Sequence, residues 1–369
     1  MGAVKSSSAR LLMVSPLVLI AVCAAAAPKR PLEAGDFDRM LAVHDPVCSR
    51  DGRWIAYTVD GADLETDDRK SSIWMVSFEG GENVRLTAPA ESASNPKFSP
   101  DGRYVSFLSA RGADAKEQIY LLDRRGGEAQ RLTGVTGTIG DYDWSPDGSR
   151  LVISMFPGRD PPDSAGEAPA RGAKTPKPVV IDRVHFKEDE TGYVTAADRA
   201  QLYLFDLDAR KLVPLTSDAR FDDTSPTWSP DGKAIAYFST HDTDPDVSGA
   251  KQLFLIDGRA GSVPRKLADF YVPNKPALLF TRDGTRIIYS TGREPKLNSY
   301  TQDRLSIVAV ADGKPRVLTD GLDRALSFPA PAADDGAIHA VLEDDGTDIP
   351  VTLRLDTVRV EHRWAGKLS

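Results

Sequence analysis

Short apolar runs recur along the chain and alternate with polar, turn-forming residues. The clearest runs are Ile119-Tyr120-Leu121-Leu122 and Leu253-Phe254-Leu255-Ile256. Runs of this length between turn signals indicate β-strands, and a continuous apolar run indicates a strand covered on both faces. The matching runs elsewhere are Ile73-Trp74-Met75-Val76, Leu202-Tyr203-Leu204-Phe205, Leu305-Ser306-Ile307-Val308 and Thr352-Leu353-Arg354-Leu355.

A four-residue turn precedes each of these runs. Its fullest form, Ser99-Pro100-Asp101-Gly102, is typical of a β-turn, because proline presets φ at the second position and glycine ends the turn. Strand-like residues flank each copy, so the turn joins two antiparallel strands. A degenerate sixth copy is Ala333-Asp334-Asp335-Gly336. The residues expected to shape the five full turns are Asp51, Gly52, Asp101, Gly102, Asp147, Gly148, Asp231, Gly232, Asp283 and Gly284.

The spacing of the turns reveals a repeat. The turn glycines at 52, 102, 148, 232, 284 and 336 are separated by 50, 46, 84, 52 and 52 residues. A Leu-Thr pair or a variant of it closes each repeat, with spacings of 46, 83, 52, 51 and 50 residues. Four short strands in about 40 to 50 residues are the unit of a β-propeller blade. The sequence therefore predicts an all-β propeller of about six four-stranded blades. A two-sheet sandwich, the alternative, gives no reason to repeat one turn six times.

We expect the propeller to occupy residues 36–369. The third blade carries an insertion at 157–178, whose prolines and glycines are typical of a loop. The sixth blade is the weakest, because Glu361-His362-Arg363-Trp364 interrupts its last strand, and we expect that strand to be poorly formed. The array either closes through residues 36–45 or is an open arc of a seven- or eight-bladed ring. The expected blades span about 45–87, 91–133, 137–216, 217–268, 269–319 and 320–369.

The first 27 residues have the features of a signal peptide. Lys5 and Arg10 precede an apolar stretch, and small residues follow it up to Ala27. We expect cleavage after Ala26 or slightly earlier, and a periplasmic or secreted protein. Only Cys48 then remains, so no internal disulfide is expected. The net charge of −8 argues against nucleic acid as a partner, and we expect no membrane association after cleavage.

Two segments carry a family resemblance. Residues 95–102, followed by Phe107-Leu108-Ser109-Ala110-Arg111 and Gly126-Gly127-Glu128, resemble the propeller of exported bacterial prolyl oligopeptidase family enzymes. Residues 180–187 with Gly192-Tyr193 are more specific, because propellers in general lack this sequence. The branch that the chain resembles is the acylaminoacyl-peptidase and dipeptidyl-peptidase-like one, over roughly residues 36–345. Ser-Pro-Asp-Gly repeats alone are less specific, since Tol-type periplasmic propellers share them.

The resemblance implies a substrate-gating lid that limits access to short peptides, followed by an α/β-hydrolase domain with a Ser-Asp-His triad. The sequence departs from this pattern, because it contains no Gly-x-Ser-x-Gly nucleophile motif. We therefore expect this chain to correspond to the propeller that precedes the hydrolase domain. It is expected to contain no catalytic residue and to be inactive alone. Its expected partners are a separate hydrolase domain or short peptides. The alternative is a free-standing Tol-like scaffold that binds a periplasmic protein.

The remaining polar residues predict no cofactor and no metal site. Asp242-Thr243-Asp244-Pro245-Asp246 lacks the glycine and the distal glutamate of a calcium loop, and Asp222-Asp223 is explained by turn chemistry. We expect Glu188, Asp189 and Glu190 to form a peptide-contact loop that attracts the amino terminus of a peptide. The histidines lack ligand spacing and lie at His44, His185, His241, His339 and His362.

Overall fold

The structure is a computed structural model, and its described residues fall into two units. Residues 30–40 belong to one unit, and the described residues from 41 to 362 belong to the other. The expected signal peptide lies outside the described residues, as do most of the insertion and the loop at 243–249. The described ranges are 30–81, 83–88, 91–111, 116–157, 181, 186–188, 192–193, 199–242, 250–271, 273, 276–292, 302–332 and 334–362.

The first unit contributes one short helix, α1 (Ala34–Phe37). Glu33 accepts a hydrogen bond from the main chain of its first turn, and Asp36 accepts one from the Glu33 N–H at 2.9 Å. Arg30 pairs with Asp36 at 2.5 Å. These local contacts account for a helix of one turn that buries no residue.

The second unit is nearly all β, with six four-stranded antiparallel sheets arranged in a ring. Each sheet uses four strands that are neighbours in sequence, and each strand pairs with the next. This confirms the predicted propeller of six blades. The first three blades are β1 (Ala42–Cys48), β2 (Trp54–Asp63), β3 (Asp68–Ser77) and β4 (Val84–Arg85); β5 (Ala93–Phe98), β6 (Tyr104–Ser109), β7 (Gln118–Asp123) and β8 (Gln130–Arg131); and β9 (Thr138–Trp144), β10 (Arg150–Phe156), β13 (Gln201–Asp206) and β14 (Lys211–Pro214).

The chain between β10 and β13 adds a small hairpin to the third blade. It pairs β11 (Lys187–Glu188) with β12 (Gly192–Tyr193). The other three blades are β15 (Thr224–Trp228), β16 (Ala234–Ser239), β17 (Ala250–Asp257) and β18 (Arg265–Tyr271); β19 (Leu278–Phe280), β20 (Arg286–Thr291), β21 (Arg304–Ala309) and β22 (Pro315–Val317); and β23 (Leu326–Pro331), β24 (Ala337–Asp344), β25 (Thr347–Arg354) and β26 (Val360–His362).

The repeated turn joins the first two strands of each blade through one set of hydrogen bonds. In the third blade, Ser145 Oγ donates to Asp147 Oδ1 at 2.6 Å, and the Gly148 N–H donates to the Ser145 carbonyl at 2.8 Å. Gly148 has φ +73°, which favours glycine. Gly148 also lies against Pro100 of the preceding turn, because a Cβ built on this glycine would be 3.7 Å from the proline ring. Consecutive turns therefore pack on each other along one side of the ring.

The Leu-Thr landmark has an equally local cause. The hydroxyl of Thr133 accepts a hydrogen bond from the Ile119 N–H at 3.0 Å, at the start of the third strand of its blade. The same bond recurs from Ile73 to Thr87, from Leu202 to Thr216 and from Leu305 to Thr319. The fourth blade has Ala268 instead, and there β18 continues the ladder, with Ala268 opposite Leu253. The threonine thus caps a main-chain donor where the outermost strand has ended.

The apolar core lies between blades. Five clusters of buried side chains join the first blade to the second, the second to the third, and so on to the sixth. An aromatic residue at the end of the first strand packs toward the preceding blade in four of these clusters: Phe98, Trp144, Trp228 and Phe280. Burying each aromatic side chain removes roughly 150–250 Å² from water. Radial stacking therefore supplies the core that no single sheet has.

The sixth blade differs from its expected form. Its last strand, β26, pairs with β25 from Val351 to Leu353, although the sequence suggested a poorly formed strand. Its turn also departs from the repeat, because Gly336 donates to the Asp334 side chain at 2.8 Å instead of adopting a positive φ. The expected closing pair Leu368-Ser369 lies outside the described residues.

Candidate functional site

The first strands of the blades meet around a central channel. One cavity of about 310 Å³ is lined by Lys97, Asp143, Thr227 and Leu278, which lie on the first strands of four different blades. A second cavity of about 460 Å³ is lined by Asp45 of the first blade, together with Lys97 and Asp143. The first strands of four blades can border one cavity only near the common axis. The two cavities therefore mark the channel, and they share Lys97 and Asp143.

A repeated bulge shapes the channel wall. The ladder between the first two strands shifts register near Asp45, Asn95, Ser225 and Phe328, and each of these residues has a positive φ of 51–54°. Each is followed by a proline. A left-handed conformation before proline costs about 1–3 kcal/mol, and bulges re-aim side chains where strands border a site. In the third blade, the shift falls next to Asp141. Four of the five matched positions line the two cavities: Asp45, Asn95, Asp141 and Ser225.

Lys97 and Asp141 form an ion pair across the second and third blades. The Lys97 Nζ lies 3.2 Å from Asp141 Oδ1, with the lysine side chain 23% exposed. Asn95 Nδ2 donates to the same oxygen at 3.1 Å. The Tyr142 hydroxyl donates to the Asn95 carbonyl at 3.0 Å, and its ring lies 5.2 Å from the Lys97 Nζ. The lysine is therefore held in one position by a carboxylate and an aromatic ring.

Asp143 links the third blade to the fourth. Its Oδ2 accepts a hydrogen bond from the Trp228 N–H at 3.0 Å. Burial raises the pKa of Asp143, and the positive charge of Lys97 only partly opposes this. Burial acts to lower the pKa of Lys97, but the nearby Asp141 and Asp143 outweigh it, so the pKa is raised. The channel wall therefore holds both signs of charge at a fixed separation.

His44 supports the first-blade side of the channel. Its ring nitrogens lie 2.9 Å from Asp45 Oδ2 and 2.9 Å from Asp60 Oδ2. Burial acts to lower the pKa of His44, but the hydrogen bonds to Asp60 and Asp45 raise it above its usual value. Thr58 donates to the same oxygen of Asp45 at 3.4 Å. Asp45 is thus oriented by two neighbours while it borders the cavity.

The site residues suggested by the sequence lie elsewhere or outside the described part. Glu188 belongs to β11, whereas Asp189 and Glu190 lie outside the described residues, so the peptide-contact loop stays a prediction. His241 stacks on Phe221 at 3.8 Å between ring centroids, and His339 contacts Thr352 at 3.1 Å. In the described ranges, no group of three His, Cys, Asp or Glu side chains is placed to hold a metal ion.

Sequence reasoning missed the channel residues, although a signal was present. Pro46, Pro96 and Pro226 each lie six residues before a turn glycine, and the residue before each proline is Asp45, Asn95 or Ser225. A recurring Xaa-Pro pair inside a strand marks a bulge, because proline cannot continue the ladder. The explanation of Asp222-Asp223 by turn chemistry was also incomplete, because it did not foresee the burial of Asp223. Asp223 is 4% exposed and accepts a hydrogen bond from Ser239 Oγ at 2.5 Å.

No helix of the described part is both long and apolar enough to cross a membrane. No family model matches the chain. The chain is 27% identical over 229 residues to the uncharacterized peptidase YuxL of Bacillus subtilis (strain 168), which is 62% of this chain and 34% of that protein. It thus spans about a third of the length of this relative. The match confirms the resemblance to a peptidase that the sequence motifs indicated.

Solved structures with the same fold include peptidase propellers. Pyrococcus horikoshii acylaminoacyl peptidase matches 89% of this chain and 47% of its own, with a TM-score of 0.61 and 20% identity. The β-propeller domain of the Trilobed protease from Pyrococcus furiosus matches 89% of this chain and 85% of its own, with a TM-score of 0.57 and 16% identity. At these identities the likeness shows the fold.

Proposed function

We propose that this chain is an exported, non-catalytic β-propeller through whose central channel short peptides reach the α/β-hydrolase domain of a peptidase. The observation that carries the proposal is the pair of cavities at the channel wall, which share Lys97 and Asp143. A peptide presents an ammonium group, a carboxylate and main-chain donors and acceptors. A channel wall with both signs of charge, an amide and hydroxyls complements these groups. The similarity to a peptidase supports this choice.

The chain alone is expected to be inactive. Purified protein should not hydrolyse chromogenic aminoacyl or peptide substrates, because its sequence carries no nucleophile motif. Mixing it with a separately produced hydrolase domain of the acylaminoacyl-peptidase type should give a complex that cleaves short peptides but spares casein. Turnover by the chain alone that survives a second purification would contradict the non-catalytic role. Absence of binding between the two proteins would exclude the gating role.

The channel's part in gating can be tested with Asp45→Asn. Asp45 is exposed and borders the cavity, and asparagine tolerates its positive φ. In the mixed enzyme, the variant should raise KM about threefold to tenfold for peptides with a free amino terminus and leave N-acetylated peptides unchanged. The matched control is Asp257→Asn, which removes an exposed carboxylate from the outer part of the fourth blade. Equal effects of the two variants would remove the channel from the proposal.

Export is tested by the mature amino terminus. When the full chain is expressed in a bacterium with an intact secretion system, intact-mass measurement of periplasmic protein should show cleavage after Ala26 or slightly earlier. Protein that keeps its first 27 residues and stays in the cytoplasm would contradict export. This result bears on location alone and leaves the gating role to the preceding experiments.

A further inference from the structure

A second kind of cavity lies away from the channel, between the outer parts of the second and third blades. Its volume is about 460 Å³. Leu132, Met155 and Phe205 line it and are at most 8% exposed. Val135 and Leu212 add further apolar surface. The floor of this cavity is therefore apolar and continuous with the core between the two blades.

The polar part of the cavity is basic. Arg131 at the end of β8 and Arg210 in the turn before β14 both line it and are exposed. Among the described residues that line the cavity, none is an aspartate or a glutamate. This contrasts with a chain whose net charge is −8. An apolar floor beside two guanidinium groups is complementary to an anion attached to an apolar group.

Arginines of later blades lie on the outermost strand, as Arg131 does. Arg265 of the fourth blade donates from Nη2 to the Val310 carbonyl at 2.5 Å, in the turn of the next blade. Arg316 of the fifth blade donates to the Leu355 carbonyl at 2.8 Å in the same way. Arg131 donates from Nε to the Thr133 carbonyl of its own blade at 2.8 Å. In the two later seams an arginine of this strand bridges the blades, and in the seam of the second and third blades the arginine borders the cavity.

We propose that this cavity binds a carboxylate next to an apolar group, as presented by the C-terminal residue of a peptide. The apolar side chain packs on Met155 and Phe205, and the carboxylate accepts hydrogen bonds from Arg131 and Arg210. Arginine suits this role because its planar fork can donate two bonds to one carboxylate. The site is separate from the channel and does not depend on the proposed gating role.

Calorimetry on the full chain tests the site with defined probes. N-acetyl-phenylalanine carries both groups, its amide lacks the carboxylate, and acetate lacks the apolar group. The acid should bind at least about tenfold more tightly than the amide or acetate, since hydrogen bonds to charged groups are the strong ones. Octanoate in a parallel titration distinguishes a fatty carboxylate from a peptide terminus, and tighter binding of octanoate would identify the former as the source of the same chemistry.

Two variants and a control locate the binding. Arg210→Gln should weaken N-acetyl-phenylalanine about tenfold or more. Gly134→Leu should abolish binding without removing a charge, because Gly134 lines the cavity and its nearest neighbour, Arg131 Nη2, is 4.0 Å from an added Cβ. Arg259→Gln, in the corresponding turn of the fourth blade, should bind as the parent does. Equal binding of acid and amide, an equal loss in the control, or no saturable binding of either carboxylate would overturn the proposal.

Discussion

At the scale of single residues, Asp223 is a buried carboxyl group whose environment is structural and not part of the channel. Asp223 lies under the fourth blade, where the hydroxyl of Ser239 donates to its carboxylate and its own carbonyl accepts from Ser154 at 2.8 Å. Burial raises the pKa of Asp223 to about 6. Asp223 lines neither of the two channel cavities. Its raised pKa is therefore explained by its burial between blades.

Asp223→Asn is expected to stabilise the protein at high pH. The folded state holds the Asp223 proton up to about pH 6, whereas the unfolded chain releases it near pH 4. Stability therefore falls as pH rises from about 4 to 6, and the cost of about 3 kcal/mol at most is complete above pH 6. Denaturant unfolding should show the variant about 1–3 kcal/mol more stable than the parent at pH 8, with no such gain at pH 4.

The neighbouring Asp222 provides the control for this experiment. Its carboxylate pairs with Arg199 at 2.5 Å and accepts from the Ala200 N–H at 2.9 Å. Asp222→Asn should therefore destabilise the protein at pH 8, in the opposite direction. A gain for Asp223→Asn that is the same at both pH values would show that desolvation of the carboxylate is not its cause.

At the scale of elements, two tryptophans occupy matching positions with different hydrogen bonding. Trp144 Nε1 donates to Ser106 Oγ across the second and third blades at 2.9 Å. Trp228 Nε1 is buried and has no hydrogen-bond partner among the described residues. Its ring is packed so closely that a Cβ on Gly258 would come within 2.3 Å of it. Gly258 is thus required by this close approach. The aromatic residue at the end of the first strand, here called the wedge, therefore makes different contributions to stability between the second and third blades and between the third and fourth.

Replacing each tryptophan with phenylalanine separates these contributions. Both substitutions remove similar volume, but only Trp144→Phe removes a hydrogen bond, whereas Trp228→Phe removes an unsatisfied donor. Trp144→Phe should cost about 1–2 kcal/mol more than Trp228→Phe in denaturant unfolding. Four tryptophans remain in each variant as fluorescence probes of unfolding. Equal losses of unfolding free energy would mean that the volume of the ring alone determines its contribution to stability.

At the scale of the whole molecule, the seam between the sixth and first blades stands apart. In the described residues, no core cluster joins these two blades, although five clusters join the other pairs. Ile55 and Tyr57 of the first blade are half-buried, whereas the matching Val105 and Phe107 of the second are fully buried. The position of the aromatic wedge is taken by Cys48, which is exposed. The first blade therefore lacks the packing that every other blade has on this face.

Hydrogen exchange is expected to reveal this seam. Regions with few buried apolar contacts open at lower free energy than the core. In exchange measured by mass spectrometry, amides of β2 and β24 should exchange before those of β10 and β16, which lie between well-packed neighbours. Uniform protection of the four strands would indicate that the sixth blade packs on the first as tightly as the inner blades pack on one another.

The sequence by itself determined the repeat, the turns and the number of blades. These depend on contacts only a few residues apart, such as Ser145 with Asp147 or Thr133 with Ile119, so a local pattern encodes them. The peptidase resemblance also came from local motifs. The Xaa-Pro bulges could also be predicted from the sequence, but the sequence does not show that they face the channel.

Only the tertiary structure decided where chemistry comes together. Lys97 and Asp141 are 44 residues apart, and Asp143 meets the Trp228 main chain 85 residues away, because radial stacking brings the first strands of separate blades to one axis. The cavity beside Arg131 and Arg210 likewise exists only between two packed blades. Such juxtapositions depend on the angle and spacing between sheets, which no single repeat specifies.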